Sequence, residues 1–249
     1  MEDFSIGYQY SASLIAAGEK KWPEKTETET ARFVGFAPNF GGGIAPTGAS
    51  NFSLSNKFAP NFGGGIAEAR TCSDDMLYSL QCNEREVTAI SEIMGGEAFT
   101  AARAGLDGFA RRAESCRILH LATHACVDDT GNGLNKIYLS DGDLTQYELD
   151  NLRLNADLTV LSACNTGMGQ LLKGEGMMSL TRSFMLAGSK SVLTSLWSVD
   201  DCATSDIMVN YYRALKKGMP KDRAVSNAKL AYLNSADRNN SHPLSLIHI

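Results

Sequence analysis

The sequence lacks long apolar runs, an excess of positive charge and the cysteine pairs of metal sites. No run approaches the roughly 18 consecutive apolar residues that a transmembrane helix requires. The formal net charge of the 249 residues is −5, so the charge does not favour nucleic acid or an anionic membrane as a partner. None of the six cysteines lies in a CxxC pair or at zinc-ligand spacing from a histidine. We therefore expect no membrane, nucleic-acid, metal or cofactor binding.

We also expect no secretory signal, because Met1, Glu2 and Asp3 are not followed by a basic and then an apolar segment. With 43% apolar residues, the chain can bury one substantial core without disulfides. We expect reduced thiols and a cytoplasmic, globular protein. The cysteines are Cys72, Cys82, Cys116, Cys126, Cys164 and Cys202.

One decapeptide is duplicated: FAPNFGGGIA at 36–45 recurs at 58–67. Two copies are too few for a solenoid, which needs at least three repeats. Three successive glycines and a Pro-Asn pair favour irregular loop, and no Lys-Ser/Thr follows that would indicate a phosphate-binding loop. We interpret residues 35–75 as a Gly-rich duplicated loop insertion in a single domain that spans 1–249.

Apolar strands alternate with amphipathic helices along the chain, and this order indicates an α/β protein with a parallel sheet. One further helix is predicted with Met177, Leu180 and Phe184 on one face, ending at Gly188. The predicted strands are 4–10, 31–36, 117–124, 158–163 and 191–196, and the other predicted helices are 11–17, 84–94, 106–112, 204–217 and 221–233.

Two of the predicted strands deliver a reactive side chain: RILHLATH ends in His124, and LTVLSAC ends in Cys164. Ligands bind beyond the carboxyl ends of strands in open parallel sheets, where an imidazole and a thiol could form a nucleophile–base pair. The glycine-containing turn after Cys164 could present backbone N–H groups to an oxyanion. The alternative is that Cys164 is a buried structural cysteine.

Other polar residues near these strand ends are weaker candidates. His120 lies four residues before His124 within an apolar run, and without a third ligand it is more typical of a hydrogen-bonded core histidine. Cys126 competes with Cys164 as nucleophile, but it is too close to His124 in sequence to lie on a separate strand. Glu175, between two glycines, is interpreted as a loop anchor rather than a site residue.

Asp200 and Asp201 follow the strand at 191–196 and precede a helix. One of the two carboxylates is expected to cap that helix. The other could line a pocket for a basic substrate side chain, because a carboxylate matches a guanidinium group.

Four motifs together resemble the CHAT domain, a family of caspase-like cysteine peptidases related to separase and often fused to tetratricopeptide repeats. The likeness runs from about residue 4 to residue 233. The motifs are HLATHA (120–125), VLSACNTG (160–167), GEG (174–176) and SLWSVDD (195–201).

The resemblance implies a caspase-like three-layer α/β/α sandwich with a mainly parallel central sheet. It also implies that His124 and Cys164 are the catalytic dyad and that the backbone N–H of Ala125 belongs to the oxyanion hole. By the same resemblance, Asp201 is the residue that holds a basic side chain before the scissile bond.

The chain departs from the family at its C-terminal end. A His-Pro pair at 242–243 would lead into an aromatic-containing terminal strand, but the chain ends in LSLIHI. We expect this atypical end, 241–249, to be truncated and the C-terminal strand to be missing. Because no repeat helices precede the domain, we also expect a fragment of a larger tetratricopeptide-repeat protein.

The leading interpretation is a cysteine endopeptidase that acts on a protein or peptide substrate. An inactive or partner-activated interaction module, governed by a regulatory repeat domain or partner protein, is the alternative. A small-molecule thiol hydrolase is a third interpretation, and it would require a closed pocket rather than an open groove.

Overall fold

The computed structural model describes residues 32–40, 77, 79–126, 135–162, 170–172, 176–178, 180–194 and 200–235. Within them the chain forms ten strands and six α-helices. The strands are β1 (Phe33–Ala37), β2 (Gly96–Thr100), β3 (Ile118–Leu121), β4 (Ala125–Cys126), β5 (Lys136–Leu139), β6 (Gly142–Thr145), β7 (Leu158–Leu161), β8 (Gln170–Leu172), β9 (Gly176–Met178) and β10 (Val192–Thr194). The helices are α1 (Asn83–Met94), α2 (Leu106–Arg112), α3 (Gln146–Asp150), α4 (Leu180–Leu186), α5 (Asp201–Lys216) and α6 (Lys221–Ser235).

The central sheet has the strand order β10-β7-β3-β1-β2, and all four of its pairings are parallel. Strands β1, β3 and β7 are buried along their whole length. This is the pattern of parallel strands covered by helices on both faces. The order reverses between β1 and β3, because β2 adds on one side of β1 and all later strands of the sheet add on the other. In open α/β sheets such a reversal is where the ligand crevice forms, which here means the carboxyl ends of β1 and β3.

Two apolar cores lie on opposite faces of this sheet, because successive strand side chains point in opposite directions. Phe33, Ile118 and Leu158 belong to the core covered by α1, α5 and α6. Val34 and Leu119 belong to the core covered by α2, α3 and α4. The chain is therefore a three-layer α/β/α sandwich, as the sequence predicted.

Two smaller antiparallel sheets accompany the central one, and neither was predicted. Strands β4, β5 and β6 form a three-stranded sheet, and β8 pairs with β9. Short helix α3 follows β6 directly and begins with a capping box, in which the Thr145 side chain accepts from the Glu148 N–H and the Glu148 carboxylate accepts from the Thr145 N–H.

Several predicted helices agree with the structure to within a few residues. Residues 84–94 and 106–112 correspond to α1 and α2. Helix α5 begins three residues earlier than predicted, because the Asp200 side chain accepts from the Ala203 N–H at 2.7 Å and caps it. Of the two aspartates considered for the cap, Asp200 has this role.

The predicted start of the helix that was to include Met177 was wrong. Residues 176–178 pair with 170–172 as an antiparallel hairpin, and α4 begins only at Leu180. The end is close to the prediction, because Gly188 adopts φ +116° and a Cβ there would lie 2.2 Å from the Leu154 carbonyl oxygen. Only glycine fits this turn.

Other predictions lie outside the described residues: the elements at 4–10 and 11–17, most of the loop at 35–75, and the C-terminal end at 241–249. Strand β1 includes the first residues of that loop, since it continues to Ala37. In the described part of the chain, no helix has the length and apolar character needed to cross a membrane.

His120 is a core histidine, as predicted. Its side chain is completely buried, with Nε2 2.9 Å from Glu86 Oε1 and Nδ1 3.1 Å from the Tyr212 hydroxyl. Burial and the neighbouring Tyr211 and Glu86 raise the pKa of Tyr212 well above its usual range, so its hydroxyl keeps its proton. Both ring nitrogens are satisfied when Nε2–H donates to Glu86 Oε1 and Nδ1 accepts from Tyr212, whereas the buried Glu86 Oε2 has no hydrogen-bond donor among the described residues. This network ties β3 to α1 and α5.

Candidate active site at the carboxyl edge of the sheet

Asn83 holds together the two chain segments that leave β1 and β3 at the switch point. Its side-chain amide donates to the carbonyl oxygen of Pro38 at 2.8 Å and to that of Ala122 at 3.2 Å. The side chain is buried, and it lies in the first turn of α1. The Asn83 amide therefore helps to fix the spacing of the crevice floor, together with the Ala122 N–H, which donates to the Phe36 carbonyl oxygen at 2.9 Å.

His124 lies three residues beyond β3 and is partly buried. Its carbonyl oxygen accepts from the Tyr138 N–H at 3.0 Å. The preceding Thr123 hydroxyl donates to the Tyr138 carbonyl at 2.6 Å. The imidazole lies against Phe40, with ring centroids 5.4 Å apart and planes at 50°. The backbone at His124 is thus fixed to β5, and its ring contacts the segment that follows β1.

Ala125 pairs with Ile137 in the antiparallel ladder of β4 and β5. Because the adjacent Tyr138 N–H donates to the His124 carbonyl, His124 occupies a hydrogen-bonded position and Ala125 a non-hydrogen-bonded one. The Ala125 N–H therefore points away from β5. The ladder therefore does not use this N–H, and an oxyanion-hole donor must meet the same condition.

Cys164 and Glu175 lie outside the described residues, so the separation of the Cys164 thiol from the His124 imidazole stays a prediction. The chain leading to Cys164 is described as far as Ser162. Strand β7 lies beside β3 with Leu161 paired to Leu121, and the Ser162 N–H donates to the Leu121 carbonyl at 2.9 Å. His124 comes three residues after Leu121 in sequence, and Cys164 comes three residues after Leu161.

Asp201 is the first residue of α5 and is partly exposed. Its Oδ2 accepts from the backbone N–H of Cys82 at 2.7 Å. Among the described residues, Oδ1 has no hydrogen-bond donor. One carboxylate oxygen is therefore fixed by the protein, while the other keeps its capacity to accept from a ligand.

A disulfide joins Cys82 to Cys202, with Cα atoms 5.1 Å apart and 120 residues between them in sequence. Cys126 is also disulfide-bonded. The prediction of reduced thiols is wrong for these cysteines, because sequence spacing cannot show that the N-terminal ends of α1 and α5 meet. It holds for Cys116, which is free and buried. Burial raises the pKa of the Cys116 thiol to about 12, so it is unreactive at neutral pH.

The cluster of Cys82, Asp201 and Cys202 has the dimensions of a cation site, since its sulfur and carboxylate atoms all lie within 4.8 Å of one another. A metal ligand must be a thiolate, however, and both sulfurs are bonded to each other. In this oxidised state the cluster offers a cation only one carboxylate.

Comparison with known protein families shows to which family this chain belongs. The family model of the CHAT domain matches residues 1–245. The chain belongs to the CHAT domain family. The resemblance inferred from four short motifs is confirmed, and so is the α/β/α sandwich with a mainly parallel central sheet that the resemblance implied.

Parts of this CHAT domain are also similar to much longer proteins. Tetratricopeptide repeat protein 28 of Mus musculus is 33% identical over 85 residues, which is 34% of this chain and 3% of the relative. The protein of the same name from Homo sapiens is 31% identical, with the same coverage. The chain thus corresponds to a small part of these relatives.

Among solved structures, the complex of Porphyromonas gingivalis RgpB pro- and mature domains superposes on this CHAT domain with a TM-score of 0.49. The superposition has 8% sequence identity and covers 87% of this chain and 46% of the other.

Sequence reasoning missed three residues at this edge. Cys82 and Cys202 were regarded as ordinary reduced thiols, and Asn83 was not considered. The one available signal was that a cysteine stands near the start of each of two predicted helices. Pairing them required knowledge of which helices pack together.

Proposed function

We propose that this CHAT domain is a cysteine endopeptidase in which Cys164 is the nucleophile and His124 the general base and acid. The observation that carries the proposal is the parallel pairing of Leu121 with Leu161. Each candidate catalytic residue follows this pair by three positions in sequence. Neighbouring parallel strands in this register could bring a thiol and an imidazole to one cleft, which supports the proposal.

In the proposed reaction, His124 takes the proton of the Cys164 thiol, and the thiolate sulfur bonds to the carbonyl carbon of the substrate. The oxyanion accepts a hydrogen bond from the Ala125 N–H, which points away from its strand partner. The C–N bond then breaks as His124 protonates the departing amine. Water attacks the thioester, His124 takes its proton, and the C–S bond breaks to restore the thiolate.

We further propose that the residue before the scissile bond is arginine or lysine, held by Asp201. The carboxylate stands at the carboxyl edge with Oδ2 engaged by the Cys82 N–H, and no described residue donates to Oδ1. A guanidinium or ammonium group there would form a charge-assisted hydrogen bond. Charge complementarity thus supports a preference for basic peptides.

The test compares cleavage of a fluorogenic peptide library by the native chain and by Cys164→Ala. Loss of the thiolate is expected to lower kcat/KM by at least about 10³-fold. The matched control is Cys116→Ala, which removes a buried thiol of raised pKa and leaves cleavage intact. Full activity in Cys164→Ala would overturn the assignment of the nucleophile.

A second candidate is a module whose activity depends on a repeat domain or partner protein. It is favoured by the similarity to proteins named for tetratricopeptide repeats, of which the matched region is only 3% of the length. This alternative predicts that a thiol-directed peptide probe labels Cys164 poorly in the isolated chain. Joining a repeat region N-terminal to the domain should then restore labelling, whereas equal labelling in both forms would exclude the alternative.

A further inference from the structure

The Cys82–Cys202 disulfide lies where two helices begin beside the candidate active site. Cys82 directly precedes α1, and Cys202 is the second residue of α5. Asp201, the proposed recognition carboxylate, is peptide-bonded to one of these cysteines and hydrogen-bonded to the backbone of the other. The disulfide and the hydrogen bond therefore close a small ring that includes the carboxylate.

We propose that Cys82 and Cys202 form a reversible thiol–disulfide site whose oxidised state positions the Asp201 carboxylate for a basic ligand. The inference rests on the proposed role of Asp201 in binding arginine or lysine. Cys82 and Cys202 are positioning residues, since they act on the ligand only through Asp201.

The positioning follows from the contacts of the carboxylate. Oδ2 accepts from the Cys82 N–H at 2.7 Å, and among the described residues this is its only hydrogen bond. With the disulfide closed, that donor stays fixed relative to the first turn of α5. With the disulfide open, the hydrogen bond alone would have to hold a partly exposed carboxylate against competition from water.

The remainder of the α1–α5 contact does not depend on the disulfide. The buried Glu86–His120–Tyr212 network links both helices to β3. Arg85 pairs with Asp206 at 2.9 Å. Lys216 donates to the Ile93 carbonyl near the other end of the helix pair. Reduction is therefore expected to loosen the two helix N-termini while the helices stay packed, which makes the site a local switch.

The two sulfurs differ in access. Cys82 is only 8% exposed, whereas Cys202 is partly exposed. A thiolate of a dithiol reductant should attack the Cys202 sulfur and displace Cys82 as thiolate. The second thiol of the reductant then breaks the mixed disulfide, leaving two protein thiols and one oxidised, cyclic reductant. The positive ends of the α1 and α5 helix dipoles stabilise the departing Cys82 thiolate, whereas the negative charge of Asp201 destabilises it.

The test uses the full 249-residue chain carrying Cys164→Ala, so that the catalytic thiol does not respond to the reductant. Two quantities are compared with and without dithiothreitol: the affinity for benzamidine, a basic probe, and the amide hydrogen-exchange rate of Cys82. Reduction is expected to weaken benzamidine binding about tenfold and to speed Cys82 exchange at least as much. Alkylation with mass spectrometry confirms the redox state of each cysteine.

Two sets of variants separate this effect from other thiols. Adding Cys82→Ala and Cys202→Ala should give weak binding under both conditions, and adding Asp201→Asn should do the same. Adding Cys116→Ala and Cys126→Ala should leave the response to reductant intact. A response that disappears in this last variant would overturn the proposal, because the effect would then come from another cysteine.

Benzamidine affinity and Cys82 amide exchange test different parts of the proposal. If oxidised protein does not bind benzamidine but Cys82 exchange still quickens on reduction, the positioning of Asp201 stands and the proposed preference for basic residues is wrong. If benzamidine binds equally in both states, or if Cys82 exchange does not change, the switch is wrong whatever the peptidase does.

Discussion

The two edges of the central sheet both carry charged side chains, but they use them differently. At the carboxyl edge, Asp201 Oδ2 accepts from one backbone N–H, and Oδ1 has no donor among the described residues. At the amino edge, Asp157 stands directly before β7 with its carboxylate engaged on both oxygens. The first arrangement leaves one oxygen without a donor among the described residues, whereas in the second both oxygens are paired with cationic side chains.

The amino edge is a closed network. Asp157 Oδ2 pairs with Arg117, and Oδ1 accepts from Lys190 at 2.7 Å. Lys221 donates to the Asp157 carbonyl and to the Ser191 hydroxyl, each at 2.7 Å. Burial alone would raise the pKa of Asp157, but the hydrogen bonds and charges of Lys190 and Arg117 outweigh it and hold that pKa below its usual value.

Charged side chains alone therefore do not mark a functional site in this fold. The amino edge binds the starts of β3, β7 and β10 together, so its charges should act on stability. The carboxyl edge keeps acceptors and a partly buried imidazole beside a crevice, so its groups should act on chemistry. Substitutions at the two edges should therefore separate activity from stability.

The largest effect is expected from His124→Gln at the carboxyl edge. Removal of the general acid and base should lower kcat by about 10³-fold for a peptide substrate. The free energy of unfolding should change little, because the backbone contacts of His124 with β5 remain. Steady-state kinetics and urea unfolding measure the two quantities. Equal loss of stability and activity would show that the histidine is structural, like His120.

A smaller effect, confined to stability, is expected from Asp157→Asn at the amino edge. Its side chain is 10% exposed, and the substitution leaves Arg117 and Lys190 without their anion. The cost should be about 2 kcal/mol in the free energy of unfolding, with kcat unchanged. Because the folded pKa of Asp157 is lowered, this contribution is present above its ordinary pKa of 3.8 and is lost as the pH falls through the folded pKa.

The matched control is Glu97→Gln. Glu97 pairs with Arg112 at 3.2 Å, but both side chains are at least 40% exposed. Its loss should cost less than about 0.5 kcal/mol. If the two substitutions destabilise the protein equally, the network around Asp157 is no stronger than a surface ion pair.

The smallest effect is a pH dependence at Lys221. Burial, with repulsion from Lys190, lowers its pKa from 10.5 to about 8 against the attraction of Asp157. Between these values the unfolded chain holds more protons than the folded one, so stability contributed by this group rises with pH. Below the folded pKa both states are protonated and the slope vanishes.

The measurement is the difference in unfolding free energy between the native chain and Lys221→Met. Above pH 8, the unfolding free energy of the native chain should rise relative to that of Lys221→Met by about 1 kcal/mol per pH unit. Taking the difference removes the opposite contribution of Cys116, whose raised pKa lowers stability at alkaline pH in both proteins. A flat difference would mean that the Lys221 amine is well hydrated.

The parallel sheet and its helices were predictable because they depend on local apolar patterns. Helix α1 shows this: Val87, Ile90 and Met94 recur at helical spacing, and all three are buried. His120 could be assigned to the core for the same reason, since it interrupts an apolar run. The family and the two candidate catalytic residues were accessible because short motifs carry them.

The features that were missed depend on contacts between distant segments. Pairing Cys82 with Cys202 requires knowing that α1 packs on α5, across 120 residues of sequence. Strands β5 and β6 are only four residues long and are separated by two, so their alternation is too brief to stand out. Asn83 functions through carbonyl groups after two different strands, which no single stretch of sequence reveals.

The amide of Asn83 has a consequence for ligand affinity. Because it already immobilises the segments after β1 and β3, a substrate would find the floor of the crevice rigid before it arrives. Less loop entropy is then lost on association, and more of the contact energy appears as affinity. Replacing this one side chain should therefore weaken recognition through backbone disorder, without removing any group that a substrate touches.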